Sequence, residues 1–498
     1  MEPSDRVVTR DGAPRPDDAA GGGSSRVWPG RLAWAVAAAL PTAFLALFFL
    51  WPVLSLVAVG FGGGIGSPVE SAGSHPLDGL VAVLSDPRTW RVVGQTLAQA
   101  TCGTILSLGL GIPAAFVLYR LDFPGRSLLR GLATVPFVLP TVVVGVAFIA
   151  LLGPGAPLAW LGLDQSFTAI VLALAFFNVT VVMRTVGGFW AQLDPRAEQA
   201  ARMLGASPAR AFATVTLPAL APAIASAAAL VFLFCATSFG VVLVLGGRAF
   251  SNIETEIYRL TVQFLDLRSA AVLSLMQFAI VAAVLVVSAR LRRARASGSR
   301  ERAVEMRFEA GRAVRAGRSH LPAILCFALT ALLLHALPIL ALVVRSLRDA
   351  EGRFTLMHYT HLIVPPDGAR PGGTALSGTV LDAILLSLGF ALIATAIAML
   401  LGILVSLVAS RSPCSPLLRR GIELFDGLAM LPLGVSAVTV GFGLLLTMHR
   451  PLGFGIDLRT SVVLIPIAQA LIALPLVVRT LLPVLRGIDR RQREAAAM

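Results

Sequence analysis

The chain contains no lysine: all 41 of its basic residues are arginine. A Walker A phosphate loop needs a lysine to reach the terminal phosphates, so a nucleotide-hydrolysing site of that kind is excluded here. Charge of either sign is scarce, at 14% of 498 residues against 56% hydrophobic, and the mean hydropathy is +0.82. That balance is too apolar for a soluble protein with a polar surface and points to a lipid bilayer. Cysteine is scarce too. Cys102, Cys235, Cys326 and Cys414 fall without CxxC spacing, which suits single buried thiols better than disulfides or a metal site. Ionisable residues are almost missing from the apolar runs, which argues against an ion-coupled secondary transporter, since that needs a coupling-ion site buried mid-span. The formal charge of +14 would suit nucleic acid, but the arginines sit in short loops between apolar runs. Membrane topology accounts for them, and no nucleic-acid partner is expected.

What is present is a series of runs near the roughly 20 residues that a transmembrane helix needs. They cover about 32–61, 95–118, 131–152, 168–190, 217–245 and 269–290, then 321–344, 381–409, 422–448 and 461–485. This predicts an all-α polytopic membrane protein of six spans plus four. Residues 1–30 have no apolar core and end in GGGSS, which reads as a disordered cytoplasmic tail. Arginines cluster at Arg120 to Arg130, Arg196 to Arg210, Arg290 to Arg318 and Arg411 to Arg420, and these loops are assigned to the cytoplasm. The N-terminus is then cytoplasmic. Glu254, Glu256 and Asp266 fall in an outer loop, where a solvated face is expected.

Between two runs lies a polar interruption, LDPRAEQAARMLGASPARAFATVTLP, residues 193–218. Asp194 followed by Pro195 is a helix start, Gly205 a helix stop, and Ser207 followed by Pro208 a second start. Ala197, Ala200, Ala201 and Leu204 share one small apolar face, suited to close approach by another protein. The chain then repeats itself. LDPRAEQAARM matches IDRRQREAAAM at 488–498, the same register pairs Arg184 with Arg479, and Leu139-Pro140 matches Leu431-Pro432. The reading is two homologous halves, 31–290 and 321–498, joined by an Arg-rich cytoplasmic linker, 291–320, against anionic headgroups. A substrate path is expected where the halves meet. The second copy stops inside its docking motif at Met498, so the C-terminus is expected to be truncated.

These features resemble the permease subunit of an ATP-binding-cassette importer, of the binding-protein-dependent type with two fused halves. The family's cytoplasmic motif has Glu-Ala-Ala, three residues, Gly, nine residues, Ile, one residue and Leu-Pro. It corresponds here to Gln199-Ala200-Ala201, Gly205, Val215 and Leu217-Pro218, with Gln for Glu beside Glu198, and Val for Ile. Its second copy begins at Glu494-Ala495-Ala496. The resemblance implies two bundles of the type I importer permease (MetI-like) fold in a bacterial inner membrane. It further implies an external solute-binding protein and two copies of an ATP-binding subunit docking on these motifs. ATP would be bound by that partner, with no cofactor and no covalent chemistry in this chain. The segments YRLDFPGR (119–126), FFN (176–178) and Ser238 to Tyr258 look most like thiamine and ferric-iron permeases. Thiamine or a phosphorylated derivative is the first substrate expectation, ferric iron the next.

Polar residues within spans are expensive in hydrocarbon and usually face a bundle interior or a water path. Gln95, Gln99, Asn178, Thr180, Thr237, Ser238, Gln277 and Gln469 are the candidates, with helix-to-helix hydrogen bonding the default for each. Asn178 and Ser238 are the path residues expected. His335 reads as a buried, hydrogen-bonded histidine. His358 and His361 have HxxH spacing but no further ligands, so no metal site is expected.

Overall fold

A computed structural model describes residues 27–61, 78–303, 314, 315, 317–349, 351–360, 362, 380–411, 415–449, 455 and 457–487. Among the described residues, eight helices are long and apolar enough to cross a membrane. They are α1 (Trp34–Gly60), α2 (Pro87–Arg120), α5 (Phe167–Trp190), α7 (Pro208–Ala236), α10 (Leu267–Ala303, apolar over Leu267–Val287), α11 (Leu321–Ser346), α12 (Val380–Ala409) and α15 (Leu464–Gly487). Among the described residues the other regular structure is short helices and a two-residue parallel pairing, in which Leu121–Asp122 meets Val314–Arg315 of the linker.

Two of the ten expected spans are not straight helices. The run at 131–152 forms α3 (Arg126–Val138) and α4 (Thr141–Leu152), bent by 99° at Leu139-Pro140. A proline donates no N–H and drives the residue before it out of the α region, and Leu139 is extended with ψ 139°. The run at 422–448 breaks likewise, into α13 (Pro416–Met430), a 3₁₀ turn at Leu431–Gly434 and α14 (Ala437–Thr447). The repeated Leu-Pro therefore lies at a helix break in both halves, but Leu431 keeps α geometry, and the chain leaves the helix only after the 3₁₀ turn, at Val435. The run at 217–245 also needs correction. Its helix begins earlier, at Pro208, and stops at Ala236, after which the chain turns back through α8 (Gly240–Leu245) and α9 (Ile253–Arg259).

The repeat recurs as packing. In the first half a Cβ on Gly111 of α2 would stand 2.6 Å from Val182 of α5; in the second, one on Gly402 of α12 would stand 2.4 Å from Val477 of α15. Val182 and Val477 lie in the register that pairs Arg184 with Arg479, and both arginines are exposed, as snorkelling side chains are. Without a hydrophobic drive between helices in lipid, such glycine contacts are what let two backbones approach.

The first span of each half packs on the other half. Leu45 and Phe49 of α1 belong to the core formed by Leu401, Val405, Val440, Leu444, Leu471 and Leu474 of the second half. Leu334 of α11 is buried in the core of α2, α4, α5 and α7. His335, next to it, is bonded to the Phe176 carbonyl at 3.1 Å and set edge-on to the Phe176 ring. It is the hydrogen-bonded histidine expected, and it ties the halves together.

Candidate functional site

The polar stretch at 194–218 folds as a helical hairpin, and local chemistry accounts for each turn. The Asp194 carboxylate accepts from the Arg196 N–H at 2.9 Å and starts α6 (Arg196–Met203). Gly205 has φ +91°, with its N–H bonded to Arg202 and that of Ala206 bonded to Ala201. This pair of bonds is a Schellman stop, in which a left-handed residue satisfies the last carbonyls of a helix. Ser207 then accepts from the Arg210 N–H at 3.3 Å and opens α7 at Pro208. The second helix does not end before the span, as two short helices would. It runs through a π turn at Phe212–Thr216 into Leu217-Pro218, where proline leaves one helical bond unmade.

One side of the hairpin is anchored to the bundle. Glu198 accepts from the Thr216 hydroxyl at 2.8 Å, so it braces α6 on α7 from within, and Ala211 is fully buried. Phe212 stacks on Trp190, Trp190 on Phe116 of α2, and Phe116 on His320 at the start of α11, with centroids 5.4 to 5.8 Å apart. The other side is bare. Ala197, Gln199 and Ala200 are exposed, Ala201 is half-buried, and Met203 and Leu204 are each 89% exposed. Glu198 thus faces inward while Gln199, in the motif position, faces outward. The second copy, with Glu494, Ala495 and Ala496, lies outside the described residues.

On the opposite side of the membrane, the acids expected on a solvated outer loop are buried. Glu254 is 0% and Glu256 4% exposed, because the chain folds back after Thr237 instead of looping outward. Asn252 caps α9 in a reciprocal box with Thr255 and donates its amide to the Ser238 carbonyl. Gln95 and Thr96 of α2 hold Ser251 and Ile253 through their backbone N–H groups. Glu256 pairs with Arg88 at 3.0 Å and with Arg259 at 3.5 Å. Glu254 points the other way, accepting from Gln277 of α10 at 3.3 Å and from the hydroxyl of Ser436, which caps α14 in the second half.

Gln99 and Thr180 follow the helix-to-helix default, donating to the Cys235 and Ala133 carbonyls, whereas Thr237 bonds back to the Leu233 carbonyl of its own helix. Asn178 donates to the Leu174 carbonyl and to the Cys235 sulfur, so it binds α5 to α7 inside the first half, and its amide oxygen is buried with no hydrogen-bond partner. Ser238 is buried one hydrogen bond from the Asn252 cap, next to that meeting. Gln469 is exposed. His361 lies outside the described residues, among which no group of three metal-ligating side chains occurs.

Residues 107–296, which include the hairpin and Glu254, match the family model described as binding-protein-dependent transport system inner membrane component. The molybdenum transport system permease protein ModB of Escherichia coli (strain K12) is 34% identical over 165 residues, covering 72% of that protein and 32% of this chain. The chain belongs to this family. The sulfate transport system permease protein CysT of the same organism is 34% identical over 171 residues, 62% of its length and 33% of this chain. The thiamine transport system permease protein ThiP is 34% identical over 237 residues, 44% of its length and 45% of this chain. The chain thus spans about three fifths of the length of the sulfate permease it matches. For a permease of this family, the two places built with most care are the hairpin, bare on one side, and the polar contact between the halves at Glu254. Sequence reasoning found the first by spacing and missed the second. Its one available signal was Asn252 three residues before Thr255, a helix start inside an assigned loop.

Proposed function

We propose that the chain is the membrane-spanning permease subunit of an ATP-driven importer in a bacterial inner membrane. A separate ATPase, in two copies per transporter, docks on the bare side of the hairpin, and an external binding protein delivers a small solute to the opposite face. The observation that carries this reading is the hairpin itself, rigid and braced on one side, with small residues, Met203 and Leu204 open on the other. Closure of the ATPase pushes α6, and the Phe212–Trp190–Phe116–His320 stack passes the push to α2 and to α11 of the second half. The two halves then rock about the path between them. The relatives' names cover an oxyanion, a metal and an organic cation, and among them thiamine remains the first expectation for the solute, with ferric iron next. Buried Glu254 is the feature that an ion-coupled carrier would also use.

The test is co-purification of the full chain with candidate ATPase subunits, followed by ATPase assays in liposomes against Gly205→Val. A Cβ at Gly205 meets nothing within 4 Å, so the substitution acts through the backbone alone. A branched residue at φ +91° costs roughly 1–2 kcal/mol locally, enough to unseat the Schellman turn. Coupled ATPase activity is expected to fall about tenfold or more with membrane insertion intact, while Gly205→Asn, which tolerates the left-handed region, retains most of it. Failure to bind any ATPase, with uptake that collapses when the ion gradient is removed, would overturn the reading in favour of the carrier.

A further inference from the structure

The contact at Glu254 lies below the outer helix ends. Thr96, which holds Ile253, is nine residues below the start of α2, and Gln277 is ten below the start of α10. At about 1.5 Å per helical residue, Gln277 lies roughly 15 Å below the outer end of α10, while Thr96 stands at the outer end of the apolar run 95–118, so Glu254 lies in the outer half of a hydrocarbon layer about 30 Å thick. Arg120, Glu254 and Glu256 are the charged side chains buried among the described residues. Arg120 ends α2 at the cytoplasmic side, and Glu256 is paired with two arginines, Arg88 and Arg259, so Glu254 is the buried acid that faces the second half. Around it, the Gln277 carbonyl oxygen and the hydroxyl of Thr439, three residues beyond Ser436, are buried with no hydrogen-bond partner. Buried polar groups are normally satisfied; eleven side-chain atoms among the described residues are not, and these two stand out in lying by an acid where the halves meet.

We propose that Glu254, closed against Ser436 across the seam, selects a cationic solute over an oxyanion when the halves part. This rests on the importer reading. Opening the seam breaks the Glu254–Ser436 bond and exposes the carboxylate, Gln277 and Thr439 together. A lone negative charge in a narrow, poorly screened passage repels a dianion such as sulfate or molybdate and attracts an organic or metal cation. Glu256, Arg88 and Arg259, together one positive charge, lie on the other side of α9, where the partly exposed arginines are screened by solvent.

The test needs no knowledge of the solute. The full chain carrying Thr439→Cys is reconstituted with its ATPase subunit, and modification rates are measured with two methanethiosulfonates, one bearing trimethylammonium and one sulfonate, against the chain without the reporter cysteine. During ATP turnover the cationic reagent is expected to react at least about tenfold faster, the least that attraction of one reagent and repulsion of the other by a charge a few ångströms away give at an effective dielectric between those of protein surface and water. Glu254→Gln brings the ratio near one, and Glu254→Asp keeps it. A reporter that neither reagent reaches during turnover overturns the proposal, as does a ratio near one with native Glu254, which holds even if the Gln variant fails to insert. A ratio unchanged by Glu254→Gln overturns it too. Absence of ATPase activity in the unsubstituted complex instead counts against the importer reading.

Discussion

The first and second halves build the same helix pair with different amounts of surrounding protein. In both, a glycine of one helix receives a valine of the next, Gly111 on Val182 and Gly402 on Val477. In the first half α7 packs on both members, and the most apolar stretch of α5 is 83% buried; in the second, α15 is 33% buried over its corresponding stretch. Among the described residues α12 and α15 have no counterpart of α7. Leu385, Leu388, Leu392 and Leu400 of α12 and Leu476 and Val484 of α15 are exposed. The comparison teaches that the contact between backbones is what the repeat preserves, while burial is supplied by neighbours. It also places the hairpin on the better supported pair.

The strongest test of that difference is at the hairpin's base. Trp190 is 3% exposed between Phe116 and Phe212, whereas Leu485, which the repeat register places opposite it, is half-buried. Trp190→Ala is expected to cost roughly 3–5 kcal/mol of stability, the range for emptying a packed aromatic site. Leu485→Ala should cost less than half as much. Thermal unfolding of the purified chain in detergent reads both; equal losses would break the comparison.

A smaller effect sharpens it at the glycines. Gly111→Ala and Gly402→Ala force almost the same clash, so any difference reports how far the neighbours can yield. Overpacking of this kind costs roughly 1–3 kcal/mol in a closed core. With α7 behind it, Gly111→Ala is expected at the upper end of that range. Gly402→Ala falls at the lower end, because α15 can shift outward. A larger shift in Tm for Gly402→Ala would show that lipid-facing helices are held as rigidly as enclosed ones.

The parts of the molecule that sequence reveals are those set by local chemistry. Asp194, Gly205, Ser207 and Pro208 placed every turn of the hairpin because caps and stops act within a few residues, and the apolar runs placed the spans because length and hydropathy are enough. Residues whose role depends on distant contacts were not legible. Nothing in the run 32–61 says that Leu45 and Phe49 will join the core of the other half. The breaks at Pro140 and Pro432 were visible as residues, but a proline within an apolar run can kink a helix or end it, and the neighbours decide. Glu254 and Glu256 read as solvated because a charged pair after an apolar run usually is. The return of the chain through Asn252 to Gln95 and Thr96 reverses that, and no periodicity signals it.

The smallest expected effect compares two acid–arginine pairs, one on the outer segment of each half. Glu256 is buried against half-exposed Arg88, so Glu256→Gln is expected to cost only about 1 kcal/mol, the exposed partner being screened. Asp457 pairs with Arg459 at 2.7 Å in the open. Hydrogen bonds from the Arg459 side chain, more than its charge, hold the Asp457 carboxyl down to about 2. A depressed carboxyl contributes stability above its unfolded pKa, near 4, and loses it as pH falls through the folded value. The pair therefore contributes nothing that varies between pH 5 and 8, and screening by solvent leaves it little to contribute at any pH. Asp457→Asn should leave Tm unchanged within about 1 °C from pH 5 to 8, while Glu256→Gln lowers it throughout that range. A pH-dependent loss in Asp457→Asn above pH 5 would mean that the second half's outer loop is more enclosed than its exposure indicates, and the contrast between the halves would not extend to their outer faces.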